Sequence, residues 1–423
     1  MRAIVPLFVS LIYIIIIDFY TFKGLMFLIG RKRSVITRWL VPIVFFTTSI
    51  FFILTQIWLF TRPTVISGPG QYSVIFTIIG LFVLLYVPKS VFCLFHIFED
   101  FIWITMIVIH KIKDRIKSNP RRIFSHSRKH GISILSKAGG LVSITLFFAI
   151  TYGLVFGRFN YKVKSEIVYF EDLPSAFDGK KIVQISDLHI GSLGNHQKKI
   201  NKAVNTINSL EADFVFFTGD LMNTYASELD DWLDVISEIK AKIGKYAVMG
   251  NHDYGDYVNW ETDSLRNANI EQLKQFHYNA GFKVLDNISE RIIIANQEIV
   301  IAGVENWGKP PFPQYGDIKK ALEGTNNDFI ILLSHDPSHW VEEVIPATDV
   351  NITFSGHTHG FQFGIDTKWL KWSPIQYKYP HWAGLYSENE QYLYVNRGLG
   401  YVAFPGRVGV RPEITLVELR VKK

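Results

Sequence analysis

The stretch "SGHTHG", residues 355–360, places two histidines one residue apart between glycines, directly after the apolar run 350–354. On a strand, residues i and i+2 point the same way, so His357 and His359 are predicted to reach one object just beyond a strand end. A metal ion suits two neighbouring imidazoles, whereas a solvated polar turn is the alternative for an isolated pair. The rest of the chain decides between them.

Four further strand-like runs end in residues that bind metals or transfer protons. These residues are Asp187 and His189 after "KIVQIS", Asp220 after "FVFFTG", Asn251, His252 and Asp253 after "YAVMG", and His335 after "FIILLS". Helical patterns at 197–209 and 228–241 lie between the runs, which predicts a layered α/β domain whose site forms at the carboxyl ends of the strands. Each residue alone has a structural explanation, such as a helix cap or a turn. Five such strand ends together favour a site.

The order Asp-x-His, Gly-Asp, Gly-Asn-His-Asp, Ser-His and Gly-His-Thr-His resembles the calcineurin-like metallophosphoesterase family, from about residue 180 to the C-terminus. The resemblance implies a four-layered α/β/β/α sandwich with two divalent cations that hydrolyses phosphomonoesters or phosphodiesters. It also implies roles for individual residues: Asp187, His189 and His359 on one metal, Asn251, His335 and His357 on the other, and Asp220 bridging both. His252 would face the substrate, with Asp253 orienting its ring.

The residue types fit this chemistry independently. Two divalent cations about 3.5 to 4 Å apart clamp the attacking and leaving oxygens and acidify a bridging water to a hydroxide. Neutral imidazoles and one amide leave the cations able to attract an anionic phosphate, and His252 can protonate the leaving oxygen. Cys93 is the only cysteine and lies in an apolar N-terminal run, so the ligand set predicts manganese, iron or zinc without thiolates.

The N-terminal part is far more apolar than the remainder. Hydrophobic residues make up 48% of the chain and charged residues 19%, and apolar runs at about 3–22, 40–60, 73–96 and 139–157 have the length of membrane-spanning helices. We therefore expect an all-α transmembrane module at 1–157, a linker with the first strand at 158–178, and the metallophosphoesterase domain at 179–423.

The charge distribution predicts topology, and it disfavours nucleic-acid binding. The first 160 residues contain 18 Lys and Arg against 4 Asp and Glu, whereas the remainder is acidic. The basic residues concentrate in loops, including nine within 111–137, and such loops stay in the cytoplasm. Four spans then place the globular domain outside a bacterial cell membrane. A second crossing within 72–110 would reverse this; the favoured interpretation is one span followed by an amphipathic interfacial helix.

Two segments are candidates for substrate contact. Arg397, in "YVNRGLG", could touch a phosphate oxygen or belong to a structural turn. In the aromatic segment 365–386, Trp369 and Trp372 alternate with lysines, as is typical of a bilayer interface, although packing onto the sandwich is the alternative. The hypothesis is that this segment admits a lipid-like phosphoester.

One difference from the resembled relatives concerns the histidine loop. Relatives with a similar membrane-linked architecture have "GHTHGGQ", where this chain has Phe361 and Gln362, yet "RPEITLVEL" again resembles the membrane-associated bacterial phosphodiesterases. The prediction is a membrane-anchored phosphoesterase. A cytoplasmic pyrophosphatase of a UDP-diacylglucosamine-type lipid precursor, and a non-catalytic receptor that retains the fold, are the alternatives.

Overall fold

The computed structural model describes residues 4–29, 34–61, 71–116, 134–325 and 328–422. The chain divides into a helical unit, residues 1–66 and 78–151, and a sandwich unit, residues 67–77 and 152–423. Parts of the basic loops on which the topology prediction depends, residues 30–33 and 117–133, lie outside the described residues.

Four long helices are long and apolar enough to cross a membrane, as predicted. They are α1 (Ile4–Ile29), α2 (Val35–Thr61), α3 (Gln71–Ile116) and α4 (Ile134–Val155). Because α3 has 46 residues, it is about 69 Å long at 1.5 Å per residue, about twice the thickness of a bilayer hydrocarbon core. The expected change from a span to a separate interfacial helix does not occur, since α3 is continuous.

Polar residues in the middle of α3 have partners inside the helical unit. Lys89 Nζ lies 2.7 Å from the Asp18 carboxylate of α1, and the Ser136 hydroxyl of α4 bonds to Glu99. Paired charges are tolerated within membrane helices because each neutralises the other in an environment without water. The sequence pattern alone does not reveal this pairing.

Neighbouring helices of this unit run in alternating directions. In α1 and α2, Ser10 bonds to Gln56 and Phe22 packs on Phe45, so the two helices are antiparallel. Helices α1 and α3 are parallel, because Tyr13 contacts Ser90 and Lys23 contacts Asp100. Helices α3 and α4 are antiparallel, because Ser136 contacts Glu99 and Ser143 contacts Pro88. The end of α4 is therefore on the same side as the start of α1.

Two six-stranded mixed sheets form the centre of the sandwich unit. In the first, the order is β1 (Lys162–Phe170), β14 (Glu413–Val421), β2 (Lys181–Ile185), β3 (Phe214–Thr218), β4 (Gly244–Val248) and β5 (Lys283–Val284). In the second, it is β12 (Gly384–Glu388), β13 (Gln391–Val395), β9 (Ile352–Ser355), β8 (Ile330–Leu333), β7 (Gln297–Gly303) and β6 (Ile288–Ile294). A separate hairpin pairs β10 (Ile365–Asp366) with β11 (Lys371–Trp372).

Three apolar cores produce the predicted α/β/β/α layers. One core lies between the sheets and joins residues such as Phe216 and Phe354. A second packs α6 (Gln197–Ser209) and α8 (Asp263–Asn279) on the first sheet, together with the short helices α5 (Ile190–Leu193) and α7 (Leu233–Ser237). The third covers the second sheet with α9 (Ile318–Ala321), a π-helical turn at Trp340–Val344 and α10 (Ile345–Ala347). The four-layered sandwich is confirmed.

One predicted helix is much shorter than its pattern. Residues 228–241 form the end of a 3₁₀ turn (Ala226–Leu229) and the five-residue α7. The Glu228 carboxylate instead accepts N–H groups from Asn223, Thr224 and Tyr225. It thereby holds the loop that follows β3, which carries a predicted ligand.

Candidate metal centre

The carboxyl ends of five strands bring all seven predicted ligand side chains together. Strands β2, β3 and β4 are parallel neighbours in the first sheet, and β8 and β9 are parallel neighbours in the second. Two groups of donor atoms result, each within 4.8 Å: Asp187, His189, Asp220 and His359 in one, and Asp220, His335 and His357 in the other. Asp220 is common to both, which is the position that the resemblance implies for a bridging ligand.

In the first group the imidazole nitrogens face carboxylate oxygens and each other. His189 Nε2 lies 3.0 Å from His359 Nε2 and 3.5 Å from Asp220 Oδ2. His359 Nε2 is 3.2 Å from Asp187 Oδ1. All four side chains are buried, so their lone pairs converge on one enclosed point.

The second group adds an amide oxygen to two imidazoles. His335 Nε2 lies 3.2 Å from Asp220 Oδ2 and 3.3 Å from His357 Nδ1. Asn251 Oδ1 is 2.8 Å from the same His357 nitrogen, while the Asn251 amide group donates to the Tyr257 hydroxyl. That hydrogen bond turns the Asn251 oxygen toward the group, as a metal ligand requires.

The spacing of these atoms fits divalent cations. Nitrogen and oxygen ligands about 2.0 to 2.2 Å from one cation lie about 2.8 to 3.6 Å apart at angles between 90° and tetrahedral. The nitrogen–nitrogen and nitrogen–carboxylate distances in both groups fall in this range. The donor set of imidazole, carboxylate and amide suits manganese, iron or zinc.

The electrostatics of His335 also favour a positive charge at this position. Burial opposes protonation of the ring, but the adjacent Asp220 carboxylate outweighs it and raises the pKa of His335 to about 10. The carboxylates therefore create a strongly negative local potential. A divalent cation satisfies the same potential in place of the proton.

All four candidate ligand histidines have a partner at the other ring nitrogen, and for His359 Nδ1 it is Arg407 Nη2 at 3.5 Å. His189 Nδ1 donates to Asn223 Oδ1 at 3.1 Å, and His335 Nδ1 donates to the Thr218 carbonyl at 2.7 Å. His357 Nε2 lies 2.8 Å from the Tyr379 hydroxyl. Such partners fix the tautomer and aim the remaining nitrogen at the metal.

His252 lies beside the first group, and its ring is held by a different residue from the one predicted. Its Nδ1 donates to the Asn223 carbonyl at 2.8 Å, and its ring stacks on Tyr257 with centroids 4.3 Å apart. The His252 ring is 4.7 Å from that of His189. Asn223 therefore has the orienting role that sequence analysis assigned to Asp253.

The Asp253 carboxylate instead organises the backbone between two strand ends. It accepts N–H groups from Asp220, Leu221 and Met222 after β3 and from Gly250 after β4. Burial and the charge of Asp220 raise the pKa of the Asp253 carboxyl to about 7. Asp253 thus positions the loops that carry Asp220 and Asn251, because a side-chain carboxylate satisfies N–H groups that no strand can pair.

The ligand loops have an unusual backbone conformation. Asp187, His189, Asp220, His357 and His359 all have positive φ angles between 47° and 69°. This left-handed region costs free energy for residues with a side chain, and such residues concentrate at functional sites. At Gly250 the constraint is steric, because a Cβ atom there would collide with Asp220 Oδ1.

The three predicted substrate residues differ in how exposed they are. Arg397 is buried and ion-paired with Glu413 and Asp366, which favours the structural alternative, and its contact with phosphate stays a prediction. Trp369 is 95% exposed at the tip of the β10–β11 hairpin, and Trp372 is partly exposed in β11. Two other aromatics of that segment, Tyr379 and Trp382, are buried.

Sequence reasoning missed the residues that orient the ligands. Asn223 stands three positions after Asp220 in "TGDLMN", within the strand-end motif but without an assigned role. Tyr379 was grouped with the interfacial aromatics, because its contact with His357 depends on tertiary folding. Arg407 is fully buried and donates to the carbonyls of Arg397, Gly398 and Gly400 beside the first group; no local motif indicates it.

Two family models match the chain. The model described as "Calcineurin-like phosphoesterase" matches residues 180–361. The model described as "Probable Calcineurin-like phosphoesterase, transmembrane domain" matches residues 1–158. The first match includes all seven candidate ligands, and the second includes all four long helices.

Curated relatives support the same assignment. The chain is 30% identical over 286 residues to a "Transmembrane protein with metallophosphoesterase domain" of Danio rerio, covering 66% of this chain and 61% of that protein. A Bos taurus protein of the same description is 31% identical over 260 residues, covering 59% and 54%. The chain thus spans little more than half the length of these two. An uncharacterized metallophosphoesterase of Bacillus subtilis is 30% identical over 272 residues, covering 62% of this chain and 84% of that protein. With its apolar helices and its paired His/Asp groups, the chain belongs to the calcineurin-like metallophosphoesterase family, as a member with an N-terminal transmembrane domain.

Proposed function

We propose that this protein is a membrane-anchored hydrolase that cleaves a phosphodiester or phosphomonoester bond at a binuclear metal centre. The observation that supports this most is the convergence of two donor groups that share Asp220. A receptor that had lost catalysis would be expected to lose ligands. All seven candidate ligand side chains are present at the strand ends, which favours an enzyme.

The proposed ligand sets follow the two groups. Asp187, His189 and His359 hold one cation, Asn251, His335 and His357 hold the other, and Asp220 contacts both. When bound, two divalent cations activate water as a nucleophile and neutralise charge on the phosphoryl oxygens. Manganese, iron and zinc all suit the donor atoms.

We assign proton transfer to the leaving oxygen to His252. Because its Nδ1 donates to the Asn223 carbonyl, Nε2 is the ring nitrogen available to a substrate. The stacked Tyr257 ring limits rotation of the imidazole. A histidine fixed in this way can donate a proton as the phosphoester bond breaks.

The surroundings of the site suit an anionic substrate. A cleft of about 140 Å³ beside Tyr379 is lined by Lys309 and Lys378 together with Glu342. Its two ammonium groups outnumber its one carboxylate, and such a balance favours anions such as phosphoesters. The proposed substrate class is a phosphoester of a lipid or of the cell envelope, and Trp369 and Trp372 are its candidate lipid contacts.

The proposed location is the bacterial cell membrane with the sandwich unit on the extracytoplasmic side. The nine basic residues within 111–137 favour the cytoplasm for the connection between α3 and α4. The alternating helix directions support this, because the chain leaves α4 on the side where α1 begins.

Metal analysis and hydrolysis assays on the full chain in detergent test the proposal. Asp220→Ala should lose bound metal and activity together, whereas His252→Ala should retain most metal while the rate falls about 10²- to 10⁴-fold. Asp231→Ala removes an exposed carboxylate and serves as the control. An Asp220→Ala protein with two metals and normal turnover of an aryl phosphodiester would show the bridging assignment to be wrong.

A further inference from the structure

The β10–β11 hairpin, residues 364–373, presents an apolar tip on a rigid base. Its tip residues Trp369 and Leu370 are 95% and 52% exposed. Thr367 Oγ1 accepts the N–H groups of both, so the tip is an ordered turn. Large apolar side chains held outward on an ordered turn have no partner within the described sandwich unit.

The base of the hairpin is fixed by ion pairs. The Asp366 carboxylate lies 3.0 Å from Lys164 Nζ in β1 and 3.4 Å from Arg397. Lys371 Nζ donates to the Ala383 carbonyl and lies over the rings of Trp382 and Tyr386. Lys371 is exposed as a residue, but its ammonium group is held by these contacts, and partial burial of that group together with the charge of Arg397 lowers the pKa of Lys371 to about 8.

Other exposed apolar residues lie within the hairpin or within a few residues of it in sequence. Phe361, Ile365 and Tyr377 are 56%, 41% and 80% exposed. Phe361 has a φ of 57°, a left-handed backbone that normally favours glycine. A bulky aromatic at such a position contributes apolar surface at a cost in backbone strain. Clustered exposed apolar side chains of this kind mark a contact surface.

Hydrogen bonds connect this surface to the last turn of α4. Gly364 N–H donates to the Val408 carbonyl, and Val408 N–H donates to the Gln362 carbonyl. The adjacent Arg407 N–H donates to the Gly153 carbonyl at 3.2 Å. Gly153 lies within the candidate membrane span Ile134–Phe159. The hairpin base is thus two residue contacts away from a helix that enters the bilayer.

We propose that the hairpin inserts Trp369 and Leu370 into the interface of the same bilayer that holds α4. Tryptophan settles at the depth of lipid headgroups, and the exposed ammonium of Lys368 attracts their phosphates. The loop with His357 and His359 immediately precedes the hairpin, so insertion of the hairpin would bring this loop close to the lipid headgroups. The identity of a lipid phosphoester as substrate rests on the proposed function, whereas insertion of the hairpin does not.

Site-specific fluorescence on the full chain tests the insertion directly. In a Cys93→Ala background, Trp369→Cys and Tyr278→Cys are labelled with an environment-sensitive fluorophore in vesicles of phosphatidylglycerol and phosphatidylethanolamine. Tyr278, in α8, is 75% exposed and provides the matched control. The label at 369 should shift to the blue and be quenched by lipids with a doxyl group on the acyl chain, whereas the label at 278 should do neither. Solvent-like emission at both positions would overturn the proposal.

An activity comparison adds a second readout. Trp369→Ala with Leu370→Ala should reduce hydrolysis of a lipid phosphoester about tenfold more than that of a soluble aryl phosphodiester, because lost apolar burial weakens only the membrane contact. Equal losses on the two substrates would assign these residues to the fold. If neither substrate is hydrolysed by the unaltered chain, the proposed function fails, and the fluorescence result still decides the insertion.

Discussion

At the scale of single residues, the site depends on how the second nitrogen of each imidazole is used. A metal-binding histidine must present an unprotonated nitrogen, and the opposite ring nitrogen determines which one that is. His335 uses a backbone carbonyl for this purpose, whereas His189 uses the Asn223 side chain. The side-chain partner is the one that a substitution can remove.

Asn223→Ala should therefore weaken metal binding about 10- to 100-fold, because His189 loses the acceptor that fixes its tautomer. Asn223→Asp keeps an acceptor oxygen and should retain most of the affinity. Neither change removes the main-chain carbonyl that holds His252. Metal titration of the apo-protein measures the effect, and unchanged affinity in Asn223→Ala would contradict the role assigned here.

At the scale of elements, an ion pair connects the two sheets beside the site. Arg397 follows β13 of the second sheet, and Glu413 begins β14 of the first. The two are buried and paired, and Glu413 also accepts the hydroxyls of Tyr394 and Thr415. Arg397, for which sequence analysis left a phosphate contact and a structural turn as alternatives, thus connects the two sheets of the sandwich.

Arg397→Ala should lower the free energy of unfolding by about 3–5 kcal/mol, since it leaves a buried carboxylate without its cation. The half-exposed guanidinium of Arg420 pairs with Asp178 and Glu418, and Arg420→Ala should cost less than about 1 kcal/mol. Thermal unfolding in detergent measures both. A higher KM for the Arg397→Ala protein with unchanged stability would restore a substrate role for Arg397.

At the scale of the whole molecule, the decisive property is the side of the membrane on which the site lies. Four helices in alternating directions correspond to an even number of crossings, so we expect the N-terminus and the chain that follows α4 to lie on the same side. Continuity of α3 matters here, because an additional crossing within it would move the site to the cytoplasm.

A reporter that is active only outside the cytoplasm should therefore function when fused after Lys423 and should not function when inserted near Asn119. Both positions lie outside the described residues, and the expectation follows from the basic loop and the even number of spans. A cytoplasm-dependent reporter at the same two positions provides the reciprocal control. The reverse pattern would place the enzyme in the cytoplasm.

Local patterns in the sequence were sufficient for the fold class and for the candidate ligands. Periodic apolar runs predict strands and spans because burial imposes the same spacing on every chain. Parallel strands align their carboxyl ends, so Asp187, Asp220 and Asn251 could be expected at one edge of a sheet from the sequence. The α/β/β/α layers and the four membrane helices are confirmed for this reason.

Tertiary structure alone decided the partners of these residues. The carbonyl of Asn223, and not Asp253, accepts the hydrogen bond from the His252 ring. Arg397 forms an ion pair that connects the two sheets. Helix α3 continues past Lys89, whose charge is neutralised by Asp18. Each of these outcomes depends on a contact between residues distant in sequence. Hydrogen bonds and ion pairs act over a few ångströms in space, and the spacing of residues along a chain carries no information about which distant groups will meet.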